Sequence, residues 1–223
     1  MTGHPPFPRA CQWVHPSRMI KSIAFMPRRS DLGRAAFRDY YETRHTPLAL
    51  RYFRFARYIR NHLADDQEPG FDCLSEFWHP DPAASAARIG AAVVETLRAD
   101  ERVFTDQSNI RAALAEEIPL LATQPDAQPV SADATILILH GTDRAALISA
   151  ASQTARARSG QTTLDLLSPF DHRPIPCDAL LILRGSEPFS FTPPSGWSIS
   201  HRLPVLTEET PADILANSPE ATT

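Results

Sequence analysis

The sequence predicts an α+β protein built from two successive ferredoxin-like units of the β-α-β-β-α-β kind, the second lacking one helix. Three observations carry this. Residues 19–25 begin with apolar and polar positions in alternation, and a stretch with helical period follows them directly. Two more strand-like runs, 55–63 and 71–78, flank the polar turn Asp65-Asp-Gln-Glu-Pro-Gly70. After a Pro/Gln/Ala-rich stretch at 120–133, the same order of elements returns.

Composition bounds the function. A chain of 223 residues can bury a substantial core, and 43% hydrophobic with 22% charged residues is the profile of a soluble globular protein. A net charge of −4, with no basic stripe interleaved with aromatics, argues against a nucleic-acid partner. The arginines between Arg51 and Arg60 read as a solvated face. Cys11, Cys73 and Cys177 are too far apart for a metal-spaced pair or a disulfide framework, so a reducing, cytoplasmic setting is expected. No apolar run reaches the length of a membrane span, so no membrane partner is expected. Phosphate loops, a Rossmann fingerprint, a nucleophile elbow and His-x-x-x-His pairs are absent, and no metal site is expected. Residues 1–18 lack the apolar centre of a signal peptide and are expected to be a disordered extension, with Met19 opening the first strand.

In the first unit, Pro27-Arg-Arg-Ser-Asp31 stops the opening strand, and Gly33 or Asp31 caps the helix that follows. Helical spacing puts Phe37, Tyr41 and His45 on one face, with Tyr40 and Arg44 beside them. Pro47 disfavours helical geometry at Thr46, which places His45 in the last turn. There the helix dipole favours the imidazolium and an apolar surrounding opposes it, a balance suited to proton transfer near neutral pH. The competing reading is a packed histidine that caps the helix end. Alternation in the strand at 71–78 sets Asp72, Leu74, Glu76 and Trp78 on one face and Phe71, Cys73, Ser75 and Phe77 on the other. The first face reads either as a cavity wall or as carboxylates turned to water beside a tryptophan that covers a helix. Residues 80–99 read as a helix with Ile89, Val93, Val94 and Leu97 inward, followed by a turn at 101–106. Residues 108–117 are assigned to a strand by element order alone, since Arg111-Ala-Ala-Leu-Ala-Glu-Glu117 has helix-like composition.

In order and spacing, Met19-Ile-Lys, Phe37-x-x-Tyr-Tyr-x-x-x-His-x-Pro-Leu48, Tyr58-Ile-Arg-Asn-His62, Phe71-Asp-x-x-x-Glu-x-Trp78 and Phe104-x-Asp106 resemble the EthD domain over about residues 19–118. The resemblance implies the dimeric α/β-barrel superfamily, in which two ferredoxin-like units pair their sheets and each holds a pocket between sheet and helices. It carries the family's histidine onto His45, the strand-end pair onto Asn61 and His62, and the acidic-aromatic strand onto Asp72, Glu76 and Trp78. The sequence departs from the family at the helix start, where Gly33 and Ala36 replace the usual hydroxyl cap and glutamate, and in the alanine-rich second helix.

The second unit is expected at 134–207, between a linker at 119–133 and a flexible tail at 208–223. Its strands are Thr135–His140, Thr162–Leu167, Ala179–Arg184 and Trp197–Leu206, with one helix from Ala145 to Arg158 opened by Thr142-Asp143. The segment 185–196 stands where the second helix belongs, and no histidine occupies the place of His45. A degenerate tandem copy results, whose pairing with the first unit makes a barrel within one chain; a homodimer is the further option.

These readings lead to an enzyme of small-molecule metabolism acting on an aromatic or polyketide-like substrate without a cofactor. His45 moves a proton, Tyr41 and Asn61 hold an oxygen with His62 nearby, Asp72 or Glu76 orients the imidazole, and Trp78 packs the ring. The alternatives are an oxidoreductase, with haem on His45 or His62 as the cofactor, and a non-catalytic binding or assembly module.

Overall fold

A computed structural model describes residues 19–64, 67–81, 89–120 and 132–217. The expected extension at 1–18, most of the expected linker and the last six residues lie outside the described residues. The first half runs β1 (Ile20–Met26), α1 (Arg34–Tyr40), a π-helical turn (Tyr41–His45), α2 (Thr46–Ala49), β2 (Arg57–Leu63), β3 (Cys73–His79), α3 (Ala91–Phe104) and β4 (Arg111–Pro119). The second half runs β5 (Ala132–His140), α4 (Arg144–Arg156), β6 (Thr162–Pro169), β7 (Ala179–Arg184), β8 (Ser198–Glu209) and α5 (Ala212–Ala216).

The strands close an antiparallel barrel in the order β1-β3-β2-β8-β5-β7-β6-β4. Each half contributes four neighbouring strands in the same internal order, and β2–β8 and β4–β6 are the two seams between halves. Closure leaves no free sheet edge, which a long apolar strand such as β5 would otherwise expose. One core fills the barrel. Ile23, Phe25, Leu63, Leu74, Ala113, Ile136, Ile138, Ile182, Leu203 and Val205 are buried together, with Leu167 of β6 packed against them. The strand at β4, helix-like in composition, is settled by this packing. Ala113 and Ala115 are small enough for the inner wall between β1 and β6, so tertiary context overrides local propensity.

Outside the barrel, each half carries its own apolar layer. In the second half Leu137, Leu147, Ala151, Leu164, Leu181 and Leu183 pack with Phe191 and Trp197. The irregular segment 185–196 packs Phe189 and Phe191 into this layer. Asp143 caps α4 by accepting from the Ala146 amide at 3.0 Å. Where order was expected to stop at 207, β8 continues through Glu209, and α5 places Leu215 against the outer core of the first half.

The N-terminus of α1 is the weak cap. Gly33 holds extended geometry at φ −76° and ψ 158° with no side-chain hydrogen bond, and a Cβ there would meet nothing within 4 Å. Gly33→Ser is therefore expected to raise stability by a few tenths of a kcal/mol, up to about 1, through a new cap and a less flexible unfolded chain. Urea titration checks the gain; a loss of stability would mean that the site rejects the side chain.

Candidate functional site

The segment from Arg34 to Ala49 is one continuous helical run rather than a helix ending at His45. Pro47 has no amide to donate, and in a regular α-helix its ring would press on the carbonyl four residues back. The π-helical turn absorbs this: the Thr46 amide bonds to the Tyr41 carbonyl, and Pro47 sits in the first turn of α2. Wide turns of this kind concentrate at functional sites. Here it rotates Tyr41 and His45 inward together, both buried against β2, β3 and α3.

His45 is 7% exposed, its ring 4.9 Å from that of Tyr41 and 5.1 Å from that of Phe104. Its Nδ1–H donates to Asp100 Oδ2 at 2.7 Å, and the Tyr40 hydroxyl donates to the other oxygen at 3.0 Å. With the proton held on Nδ1 by a carboxylate acceptor, Nε2 of the neutral ring carries a free lone pair. A histidine whose tautomer and plane are set by a carboxylate is the arrangement used for general acid–base work.

A second polar row runs behind it. Tyr41 and Ser75 share a hydrogen bond at 2.8 Å, and Tyr58 reaches Tyr41 at 3.4 Å. Burial, with Tyr58 and Cys73 beside it, holds the Tyr41 phenol well above its ordinary range; burial raises that of Tyr58 to about 12. Both are neutral donors. His62 Nε2 donates to Glu42 at 2.6 Å. Burial opposes its charge, but Cys73 and Glu42 outweigh that and raise its pKa to about 9.

The seven residues expected to converge are therefore divided by the sheet. Tyr41, His45 and His62 lie on its helix-covered face. Asn61, Glu76 and Trp78 point into the barrel, where Asn61 donates to Glu76 at 2.8 Å and Trp78 Nε1 donates to Glu117 at 2.9 Å. Strand alternation was read correctly, but α1 and α3 pack on the face of Cys73 and Ser75, so the pocket side is the opposite one. Asp72 is at the strand entry, taken by Arg28 and Arg34. Neither Asp72 nor Glu76 orients His45.

Asp100 does, and the sequence reading missed it by ending the second helix at residue 99. The helix instead runs to Phe104, and Leu97 and Phe104 are its buried residues, while Val93 and Val94 are half exposed. A helix carried to 104 puts Leu97, Asp100 and Phe104 on one face, and an acid in the middle of an apolar face is the signal that was available. Nε2 of His62 is held by Glu42, and the rings of Tyr41 and Phe104 pack on that of His45. An open cleft of about 320 Å³ lies elsewhere, among Ala64, Asp133, Thr135, Glu187 and Pro204.

Among the described residues no helix is long and apolar enough to cross a membrane. Residues 29–108 match the model of the EthD domain family. No curated protein matches the chain. Among solved structures, TA0507, a protein assigned as a chlorite dismutase, aligns over 90% of this chain and 98% of its own at 9% identity and a TM-score of 0.50. A variant of chlorite dismutase from Candidatus Nitrospira defluvii aligns over 90% and 95%, at 11% identity and a TM-score of 0.50. Likeness at such identity is a likeness of fold. The stretch similar to the EthD domain family, residues 29–108, lies on the half that holds the His45–Asp100 pair, and the barrel as a whole shares its fold with these solved structures.

Proposed function

We propose that this protein is an enzyme of small-molecule metabolism in which the Nε2 atom of His45 transfers a proton at an activated carbon of an aromatic or polyketide-type substrate. The observation that carries the reading is the His45–Asp100 hydrogen bond at 2.7 Å, built at a π-helical turn. Asp100 stabilises the imidazolium as it forms, and the neutral hydroxyls of Tyr40 and Tyr41 stand beside it. Phe37, Tyr40 and Phe104 give the surroundings an aromatic character that suits a ring-bearing substrate. The two halves are tandem copies of one unit, of which the first holds the chemistry and the second completes the barrel, a pseudo-dimer within the chain. The strand order shared by the halves supports this, as does the apolar packing of the second half's outer face. An oxidoreductase is the second reading; the fold shared with chlorite dismutase supports it, and the surroundings of His45 and His62 do not favour haem.

A thermal-shift screen of wild type and His45→Ala against aromatic polyketide fragments, hydroxyquinones and haemin tests this without a known reaction, since a ligand of the native state raises Tm by mass action. The expected result is a shift with a fragment or quinone that His45→Ala loses. A haemin shift accompanied by a Soret band would replace the proposal with the oxidoreductase. No shift at all, with early melting of His45→Ala, would make the histidine structural and the protein a binding or assembly module.

A further inference from the structure

The polar layer inside the barrel belongs to neither the site above nor the apolar core below it. Lys21 Nζ lies 2.8 Å from Glu76, 3.0 Å from Glu117 and 2.8 Å from Asp165. Arg184 donates to Glu76 at 2.7 Å, and Thr207 donates to Asn61, which in turn donates to Glu76. Lys21, Asn61, Glu76 and Glu117 come from the first half; Asp165, Arg184 and Thr207 come from the second. Glu117 and Asp165 stand directly opposite each other across the β4–β6 seam. Like charges in that position destabilise a strand pair.

The charges do not balance. Three carboxylates face two cations, and the adjoining Arg57–Glu209 pair adds one charge of each sign. Glu76 and Asp165 are fully buried, so an uncompensated negative charge here has no water to screen it. One proton makes the cluster neutral. Glu76 already holds both cations and Asn61, and Glu117 is 28% exposed. Among the described residues Asp165 has Lys21 alone as a cation and faces Glu76 and Glu117 as well as Cys177. The proton belongs to Asp165.

We propose that Asp165 is a proton-operated latch between the two halves of the barrel: protonated, it balances the interior cluster and holds the β4–β6 seam, and its ionisation loosens that seam. Burial, opposed by Lys21 and reinforced by Glu76 and Glu117, raises its pKa from 3.8 to about 7. A raised acid binds its proton more tightly in the folded chain than in the unfolded one. Its contribution to stability is thus full below the ordinary carboxylate range and is lost as pH rises toward about 7.

The test is a series of melts of the full chain from about pH 5 to about pH 8, wild type against Asp165→Asn, with amide exchange read at both seams. Asparagine imitates the protonated acid and can still accept from Lys21. The wild type is expected to lose more Tm across this range than Asp165→Asn and to exchange faster along β4 and β6 than along β2 and β8, whereas Asp165→Asn follows only what the raised His62 and the burial-lowered His79 contribute to both proteins. Infrared spectra of the wild type provide a readout independent of the variant's folding: a buried protonated carboxyl band near pH 6 that disappears as pH rises, at lower pH in Glu117→Gln. Parallel melting profiles in wild type and Asp165→Asn, or no such band, would overturn the proposal.

Discussion

Lys21→Met is expected to lower stability by roughly 3–5 kcal/mol, a large fraction of the roughly 5–15 kcal/mol that holds a domain together. For a chain of this size that corresponds to a fall in Tm of about 6–20 °C. Lys21 is 4% exposed, and its ammonium is the only group that joins Glu76, Glu117 and Asp165 among the described residues. It also lies 4.4 Å from the centre of the Trp78 ring. Burial alone would drive Lys21 to release its proton; Asp165, Glu76 and Glu117 outweigh it and raise the pKa instead. Methionine fills a similar volume but leaves buried carboxylates with Arg184 as their remaining cation. The cost comes from the orphaned partners rather than from the lost attraction. Lys21→Met combined with Asp165→Asn should therefore lose less than the two changes made separately, the sign of coupling that a double-mutant cycle reads. A Tm unchanged in Lys21→Met would mean that water reaches these carboxylates and that the cluster holds nothing together.

The same cluster marks where sequence reading reaches its limit. Element order was legible because β1 and β3 keep their alternation and the turns their chemistry: Pro27 follows β1, and the polar sequence from Asp65 to Gly70 stands between β2 and β3. The strand at β4 followed from order against its own composition, which only packing between β1 and β6 explains. His45 was legible as a buried histidine on the face of Phe37 and Tyr41. Its partner was not, because the reading ended α3 one residue before Asp100. The division of Tyr41 and His45 from Glu76 and Trp78 turns on which face of β3 the helices cover. Alternation gives two faces and does not say which lies inside the barrel. Asp165 and Arg184 were out of reach altogether, since Asp165 meets Lys21 144 positions away and Arg184 meets Glu76 108 positions away.

Asp100→Asn is expected to cut turnover of whichever ligand the screen returns by about 10²–10⁴-fold, with KM little changed. The substitution keeps shape and buries no new group, so Tm should stay close to that of the wild type. What changes is the acceptor. A carboxylate can only accept from His45, and it fixes the proton on Nδ1; an amide presents either an oxygen or a donor, and the ring can then take either tautomer. With the proton on Nε2, the atom that faces the chemistry is no longer a base. The imidazolium formed in the reaction also loses the negative charge 2.7 Å away that stabilises it. Nitrogen-15 NMR of the His45 side chain separates this from simple misplacement: the wild type should show one tautomer protonated at Nδ1, and Asp100→Asn a mixture. A variant with full turnover would make Asp100 a helix tether. A variant that loses turnover and Tm together would make the pair a packing contact, since a positioning role requires the rate to fall while the fold stands.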